Sequence, residues 1–342
     1  MYMRILMVTP SQTGIGGTAK HVRGLSDFLR SKDHHVTIIS SENTFTIPIK
    51  KLKNPSFMIS SLIKTKFSGN YDIIHAHHPI ASLSFKASSA KKIVTFHGIY
   101  SKQIGILHGN TASNFSNKYE KNALSWADAI TAGSKESFEH YSEQGYTVNY
   151  IPNAIDVTSL PTHVTKKFEK QIIFVGRLSK EKGVESIIKI SKTLPSEFHL
   201  LIIGSGPMEK EIKKIDELYS NVHYLGYLEK EDLIPILRGS MVLIQPSLVE
   251  GISTTVLEAM ACKVPIIASD VGGNKELVLN NQNGFLINPD SPGELLEKIL
   301  QISKDLQLQQ KFGQTSFELV KKFEWKEIGQ KYLDLYESLL AN

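Results

Sequence analysis

Short apolar runs separated by helical patterns occur along almost the whole chain, and they come in two sets. The first set reads "RILMVTP" (4–10), a helix from about Gly17 to Arg30, "HHVTIIS" (34–40), "YDIIHAH" (71–77), "KIVTFHG" (92–98), "ADAITAGS" (127–134) and "VNYIPNA" (148–154). The second reads "QIIFVGR" (171–177), "FHLLIIGSG" (198–206), "VHYLGYL" (222–228), "MVLIQPS" (241–247), "VPIIASD" (264–270) and "GFLIN" (284–288). Near-continuous apolar strands separated by helices require a parallel sheet covered on both faces, because parallel strands need crossovers and the helices supply them. Between the sets, "IDVTSLPTHVTKKFEKQ" (155–171) is rich in turn-forming and charged residues and reads as a linker. The expectation is α/β: two facing Rossmann-like doubly wound domains, residues 1–157 and 158–323, with an amphipathic tail helix over 324–342 packing back on the first. Ligands of open parallel sheets bind beyond the carboxyl ends of the strands, so motifs at strand ends carry the function.

Composition narrows the partners. The 342 residues carry a net charge of +5, but residues 1–165 hold 17 Lys+Arg against 10 Asp+Glu, whereas 166–342 hold 22 against 24. The front half is therefore the basic one. No concentrated Lys/Arg run with interleaved aromatics appears, which speaks against nucleic acid and for a membrane surface or an anionic small substrate. No apolar segment approaches the ~20 residues of a membrane span and no secretory leader is evident, so a cytoplasmic protein is expected. The single cysteine, Cys262, cannot form an intramolecular disulfide and reads as a small buried residue.

Four strand-end segments carry chemistry. "TPSQTGIGGTAKH" holds Gly14, Gly16 and Ala19 in a GxGxxA pattern, with Glu42 after the second strand. A dinucleotide fingerprint places its first glycine almost directly after the strand, whereas Pro10 to Thr13 intervene here. A ligandless glycine turn and a loop whose backbone at Gly16 and Gly17 approaches a ligand are the alternatives. "VGRLSKEKG" (175–183) sets Arg177 and Lys182 around a loop that opens a helix, a combination suited to a diphosphate. "PSLVEGISTTVLEAM" (246–260) sets Glu250 and Glu258 at either end of a Gly-Ser-Thr-Thr turn into a helix. Carboxylates there can accept from sugar or ribose hydroxyls while backbone N–H groups hold phosphate; two surface glutamates are the bland alternative. "HAHHP" offers His75, His77 and His78, but strand alternation sends His78 to the opposite face from the other two, so core and cleft histidines are expected and not a metal site. No Asp-x-Asp pair occurs, so the usual sequence device for a metal-bound nucleotide-sugar is missing.

Taken together and in this order, "GRLSKEKG", the two glutamates eight residues apart, "HHP", "HG", "IPNAID", "VPIIASDVGGNKELV" and the double glycine resemble the GT4-type retaining glycosyltransferases of the GT-B fold over nearly the whole chain. The resemblance implies a nucleotide-diphosphate-sugar donor held mainly by the second domain and an acceptor held mainly by the first. It assigns donor phosphates to Arg177 and Lys182, ribose to Glu258, and donor-sugar hydroxyls to Glu250. Backbone at Ile252, Ser253 and Thr254 touches sugar and diphosphate, Gly16 and Gly17 form the loop under the donor, and His97 stands near the reacting centre. Two positions depart from the family: Ile252-Ser253 replaces the usual aromatic-glycine pair, and Lys263 stands where glycine is common.

The implied activity is retaining, metal-independent transfer of a hexose-type sugar to an acceptor hydroxyl of a glycan, glycolipid or small molecule, in cell-envelope glycan or glycolipid synthesis, with no cofactor. A nucleotide-sugar epimerase of the same architecture and a non-catalytic sugar-nucleotide binding subunit are the rivals. Removing either cation, Arg177 or Lys182, is expected to slow transfer and leave the fold intact. The apolar stretch 54–63, with Phe57, Met58, Ile59, Leu62 and Ile63 between Lys50, Lys51, Lys53, Lys64 and Lys66, is expected to rest on an anionic membrane at the inner face of the plasma membrane; a helix that merely covers the first sheet is the alternative.

Overall fold

The computed structural model describes residues 1–13, 16–49, 52–108 and 110–341. They form two compact units, one of residues 1–154 with 325–342 and one of 155–324.

In the first unit, β1 (Arg4–Val8), β2 (His35–Ile39), β3 (Ile73–Ala76), β4 (Lys91–Phe96), β5 (Ala129–Ala132) and β6 (Val148–Tyr150) make one parallel sheet in the order β2-β1-β3-β4-β5-β6. Successive side chains of β1 show why its sequence is apolar throughout. Ile5 and Met7 enter one core cluster and Leu6 and Val8 another, so both faces of the sheet are buried. The strand order reverses between β1 and β3, which makes their carboxyl ends the switch point of this sheet.

One face is covered by α1 (Gly17–Ser31) and by the C-terminal helix Trp325–Ala341, whose Ile328, Tyr332, Leu333 and Tyr336 join the cluster of Ile5, Met7, Val22 and Leu25. The two helices approach closely because each offers a glycine to the other's aromatic ring. A Cβ on Gly24 would lie 2.3 Å from the Trp325 ring, and one on Gly329 would lie 2.5 Å from Phe28. On the other face, α2 (Lys53–Phe67) turns Phe57, Ser61 and Thr65 inward and leaves Ile59, Ile63 and Phe67 outward at spacings of four residues, 58%, 50% and 80% exposed. Phe57, expected among membrane-facing residues, is instead core, since the helix must also close the sheet. Lys50 and Lys51 lie outside the described residues.

The second unit repeats the plan. β7 (Lys170–Val175), β8 (Phe198–Ile203), β9 (Val222–Tyr224), β10 (Val242–Gln245), β11 (Ile266–Ser269) and β12 (Gly284–Ile287) form a parallel sheet in the order β12-β11-β10-β7-β8-β9. Its switch point lies between β7 and β10, which pair through Val242 with Ile172 and Leu243 with Ile173. The segment expected as a linker belongs to this unit. Thr165 N donates to Pro235 O at 2.9 Å, Arg238 Nε to Pro161 O at 2.7 Å and Lys230 Nζ to Ser159 Oγ at 2.7 Å, so turn-rich sequence is tied down rather than free. No described helix is long and apolar enough to cross a membrane.

Candidate functional site

At the switch point of the second sheet, the loops leaving β7 and β10 interlock. Gly183 sits at φ +73°, and a Cβ there would lie 1.8 Å from Pro246 O, so only glycine lets the loops touch. Leu248 N donates to Glu181 O at 2.9 Å across the same seam. This contact brings Lys182, on the β7 loop, to Glu250, on the β10 loop. Lys182 Nζ lies 2.7 Å from both carboxylate oxygens, while Gln245 Nε2 donates to Glu250 Oε2 at 3.2 Å and Ser247 Oγ at 3.0 Å. Ser247 is itself fixed because its carbonyl oxygen accepts from Ser269 Oγ. The Glu250 side chain is only 8% exposed and that of Lys182 25%. Glu250 is therefore a buried, oriented carboxylate with most of its bonds on Oε2, leaving Oε1 with acceptor capacity for a ligand hydroxyl.

Arg177 is held differently. Its side chain is 61% exposed and its ion pair with Glu181 is 3.8 Å long, while Glu181 also accepts from Ser179 Oγ at 2.6 Å. The exposed guanidinium can turn from that long contact to an incoming anion, while Ser179 Oγ stays on Glu181. Glu258 lies in the helix Thr254–Ala261 and is buried, so neither glutamate of the motif is the surface residue of the bland alternative.

The two departures from the family pattern have structural roles. Ile252 packs in the core with Val256 and Leu257, so its side chain faces away from any ligand, and Ser253 caps the helix by accepting from Val256 N. Lys263 adopts φ +59° just past the helix end, the left-handed conformation that favours glycine there, and its ammonium lies 4.8 Å from the Phe317 ring centre. Thr254 opens the same helix.

In the first unit, Gly16 precedes α1 in extended conformation and brings no side chain to cap it; Gly17 is the first helical residue, and the first turn carries no acidic residue. Gly14 lies outside the described residues. Glu42 does not stand as a free ribose acceptor: it accepts from Ser11 Oγ, Gln12 N, Thr13 N and Thr13 Oγ1 and so pins the loop after β1. Burial works to raise its pKa, but these bonds outweigh it and draw the carboxyl down to about 2.

His97 follows β4. Its Nδ1 lies 3.2 Å from Asn153 Oδ1, and burial lowers its pKa to about 4 although the Asn153 bond opposes the shift. It is thus neutral near pH 7, and with Nδ1–H donated to the Asn153 oxygen, Nε2 presents a lone pair. His75 and His77 share one face, ring centres 3.9 Å apart, and His75 is locked by Tyr336 Oη at 2.7 Å and Thr95 Oγ1 at 2.6 Å. His78 turns away and caps the following 3-10 turn by accepting from Ile80 N. His21, on α1, was not grouped with these residues by sequence, although it sits 4.8 Å from His97, ring centre to ring centre. Its only signal was its place on a helix, since the histidines it meets, His77 and His97, follow strands far along the chain.

The second unit can hold an anion through an exposed guanidinium and orient a hydroxyl through a buried carboxylate; the first presents a neutral imidazole. Known proteins share the whole framework. A family model for glycosyltransferase family 4 matches residues 15–159, and one for glycosyl transferases group 1 matches residues 160–318. An uncharacterized glycosyltransferase of Methanocaldococcus jannaschii is 27% identical over 98% of this chain and 99% of its own. A phosphatidyl-myo-inositol mannosyltransferase of Mycolicibacterium smegmatis is 22% identical over 98% and 94%. The crystal structure of Anabaena HepE in complex with UDP-glucose superposes with a TM-score of 0.76 at 18% identity, covering 98% of this chain and 100% of that one. With the two models accounting between them for residues 15–318, the chain belongs to the GT4-type glycosyltransferases, glycosyl transferases group 1, of the GT-B fold.

Proposed function

We propose that this chain is a retaining hexosyltransferase that moves a sugar from a nucleotide-diphosphate donor to an acceptor hydroxyl without a divalent ion at the diphosphate. The observation that carries the reading is the buried Lys182–Glu250 pair at the switch point, beside a loosely held Arg177. As the bond between anomeric carbon and diphosphate oxygen breaks, negative charge grows on the leaving oxygens and positive charge on the sugar. Arg177 and Lys182 stabilise the first in the role a metal plays elsewhere. Glu250, through Oε1, holds a donor-sugar hydroxyl; Glu258 holds the ribose, with backbone at Ile252 to Thr254 along the sugar and diphosphate. Gly16 and Gly17 let the first-unit backbone approach the donor. Neutral His97 stands near the reacting centre and positions the sugar; it does not attack. The acceptor hydroxyl enters on the face the diphosphate leaves, and the leaving phosphate takes its proton.

For the acceptor we favour a lipid-linked glycan of the cell envelope, met peripherally on an anionic membrane at the cytoplasmic side. The outward stripe of Ile59, Ile63 and Phe67 on α2, with Lys53 and Lys66 beside it, supports this, as does a relative named for acting on phosphatidyl-myo-inositol. Lys64 is committed to Asn43, whose Oδ1 accepts from its ammonium at 3.0 Å.

A thermal-shift panel of nucleotide-sugars tests the donor assignment: the true donor at a hundred times its dissociation constant adds about 2.7 kcal/mol. NMR of the product with that donor must show the donor's anomeric configuration. An inverted product overturns the mechanism, and an epimerised donor formed without acceptor overturns the activity.

A further inference from the structure

His21 of α1, His77 after β3 and His97 after β4 converge within the first unit. One ring nitrogen from each lies within 4.8 Å of the others. The ring centres are 4.8 Å apart for His21 and His97, 5.6 Å for His21 and His77, and 5.9 Å for His77 and His97. A tetrahedral ion with ligand bonds of about 2.0–2.1 Å sets three imidazole centres about 5 Å apart, so the rings already stand at the separation a three-histidine site requires. The nitrogens themselves must close by up to about 1.5 Å to meet one ion.

The polar bookkeeping of this pocket is unusual. Both nitrogens of His21, both of His77 and Nε2 of His97 are buried with no hydrogen-bond partner among the described residues. Buried polar atoms are nearly always paired, because each unmet one costs its lost hydration. By contrast His75, stacked on His77, has both nitrogens bonded. Trp325 and Tyr332 of the C-terminal helix wall the His21 ring at 5.3 and 5.5 Å. His97 has the second-sphere bond typical of a ligand: Nδ1 is committed to Asn153 Oδ1, which fixes the ring and turns Nε2 inward.

We propose that His21, His77 and His97 form a binding site for a transition-metal dication of imidazole preference, for which Zn2+ is the probe, with the fourth position left to water. Ligation requires neutral rings. The ion binds residues of the first unit, separate from Arg177 and Lys182 of the second. It takes up the Nε2 lone pair of His97, so bound metal inhibits transfer. That consequence rests on the function proposed above; binding itself does not.

The experiment therefore reads binding without substrate. The full chain, stripped of metal, is titrated with Zn2+ against a chromophoric chelator, and its X-ray absorption is recorded. One equivalent per chain with a nitrogen and oxygen shell at about 2.0 Å and imidazole scattering is expected. His21→Gln and His77→Gln should remove it, Asn153→Ala should weaken it about 10–100-fold, and His163→Gln, at an exposed position of the second unit, should leave it unchanged. His97→Gln, at the most open of the three rings, serves where the buried variants fail to fold. Absence of a stoichiometric site in the unmodified chain overturns the proposal, as does binding unaltered by His97→Gln. If Zn2+ binds and transfer continues at its full rate, the inhibitory consequence falls alone.

Discussion

Replacing Lys182 by methionine should destabilise the second unit more than replacing Glu250 by glutamine, although the two residues form one pair. Glu250 is the buried partner, 8% exposed against 25% for Lys182, and two of its hydrogen bonds come from the ammonium at 2.7 Å. Removing the cation leaves a carboxylate inside with only the neutral donors Gln245 Nε2 and Ser247 Oγ. Breaking a buried pair by removing one partner costs about 3–5 kcal/mol. The two remaining donors and the partial exposure of Lys182 bring the expectation down to about 2–3 kcal/mol. Glu250→Gln, in contrast, leaves an ammonium on a flexible stem that can swing to water, so about 1 kcal/mol is expected, the net value of ordinary hydrogen bonds. The double variant removes both charges and should cost less than the two singles added. Urea unfolding of the four chains, followed by far-ultraviolet circular dichroism, reads each difference as a midpoint shift at constant slope. A Lys182→Met cost below that of Glu250→Gln, or strict additivity in the double variant, would refute the argument.

Arg177→Ala should slow transfer by roughly 10²-fold, because a charge-assisted phosphate contact of about 1.5–3 kcal/mol is lost, and should move the unfolding midpoint less than Lys182→Met, because its pair with the buried Glu181 is 3.8 Å long against 2.7 Å for Lys182 with Glu250; near-native turnover would remove Arg177 from the diphosphate. Glu258→Ala should weaken binding of the free nucleotide by calorimetry, whereas Glu250→Gln should chiefly lower turnover; equal nucleotide affinity in Glu258→Ala would refute the ribose assignment. Cys262 should resist alkylation at pH 8 in the native chain, since burial pushes its thiol up to about 12 and the reactive thiolate is scarce until the pH nears that value; rapid native labelling would contradict the packing. Sedimentation with vesicles should require anionic lipid, weaken as salt rises, and fall when Ile63 and Phe67 become serine; equal recovery with neutral vesicles would favour a soluble acceptor.

The alternation of apolar strands and helices made both sheets legible in the sequence, because parallel strands buried on two faces leave no polar interruption to misread. β1 is the clearest example, its residues divided between two core clusters. Pairings between distant loops were not legible. Nothing in "GRLSKEKG" or "SLVEGIS" announces that Lys182 meets Glu250, since that contact depends on Gly183 adopting φ +73° under Pro246. The motif reading gave the two residues separate ligands and so missed that each conditions the other. At 155–171 prolines, threonines and lysines read as a linker, and hydrogen bonds at Pro161 and Thr165 fasten that segment to the second unit.

The departures at Ile252 and Lys263 show how a family pattern is better read through backbone geometry than through residue type. Lys263 lies in left-handed conformation, which costs an L-residue about 1–2 kcal/mol relative to glycine. Its stacking over Phe317 returns about 0.5–1 kcal/mol. Glycine would relieve the strain but free the unfolded chain by about 0.4–1 kcal/mol, so the terms nearly cancel. Lys263→Gly should therefore shift stability by less than about 1 kcal/mol and leave the choice among nucleotide-sugars unchanged. The same holds for Ile252, whose side chain fills the core beside Val256 and Leu257. Under the proposed function, donor selection falls to Glu250 Oε1 and the Arg177 guanidinium, and a Lys263→Gly chain with an altered donor profile would refute that division between scaffold and recognition.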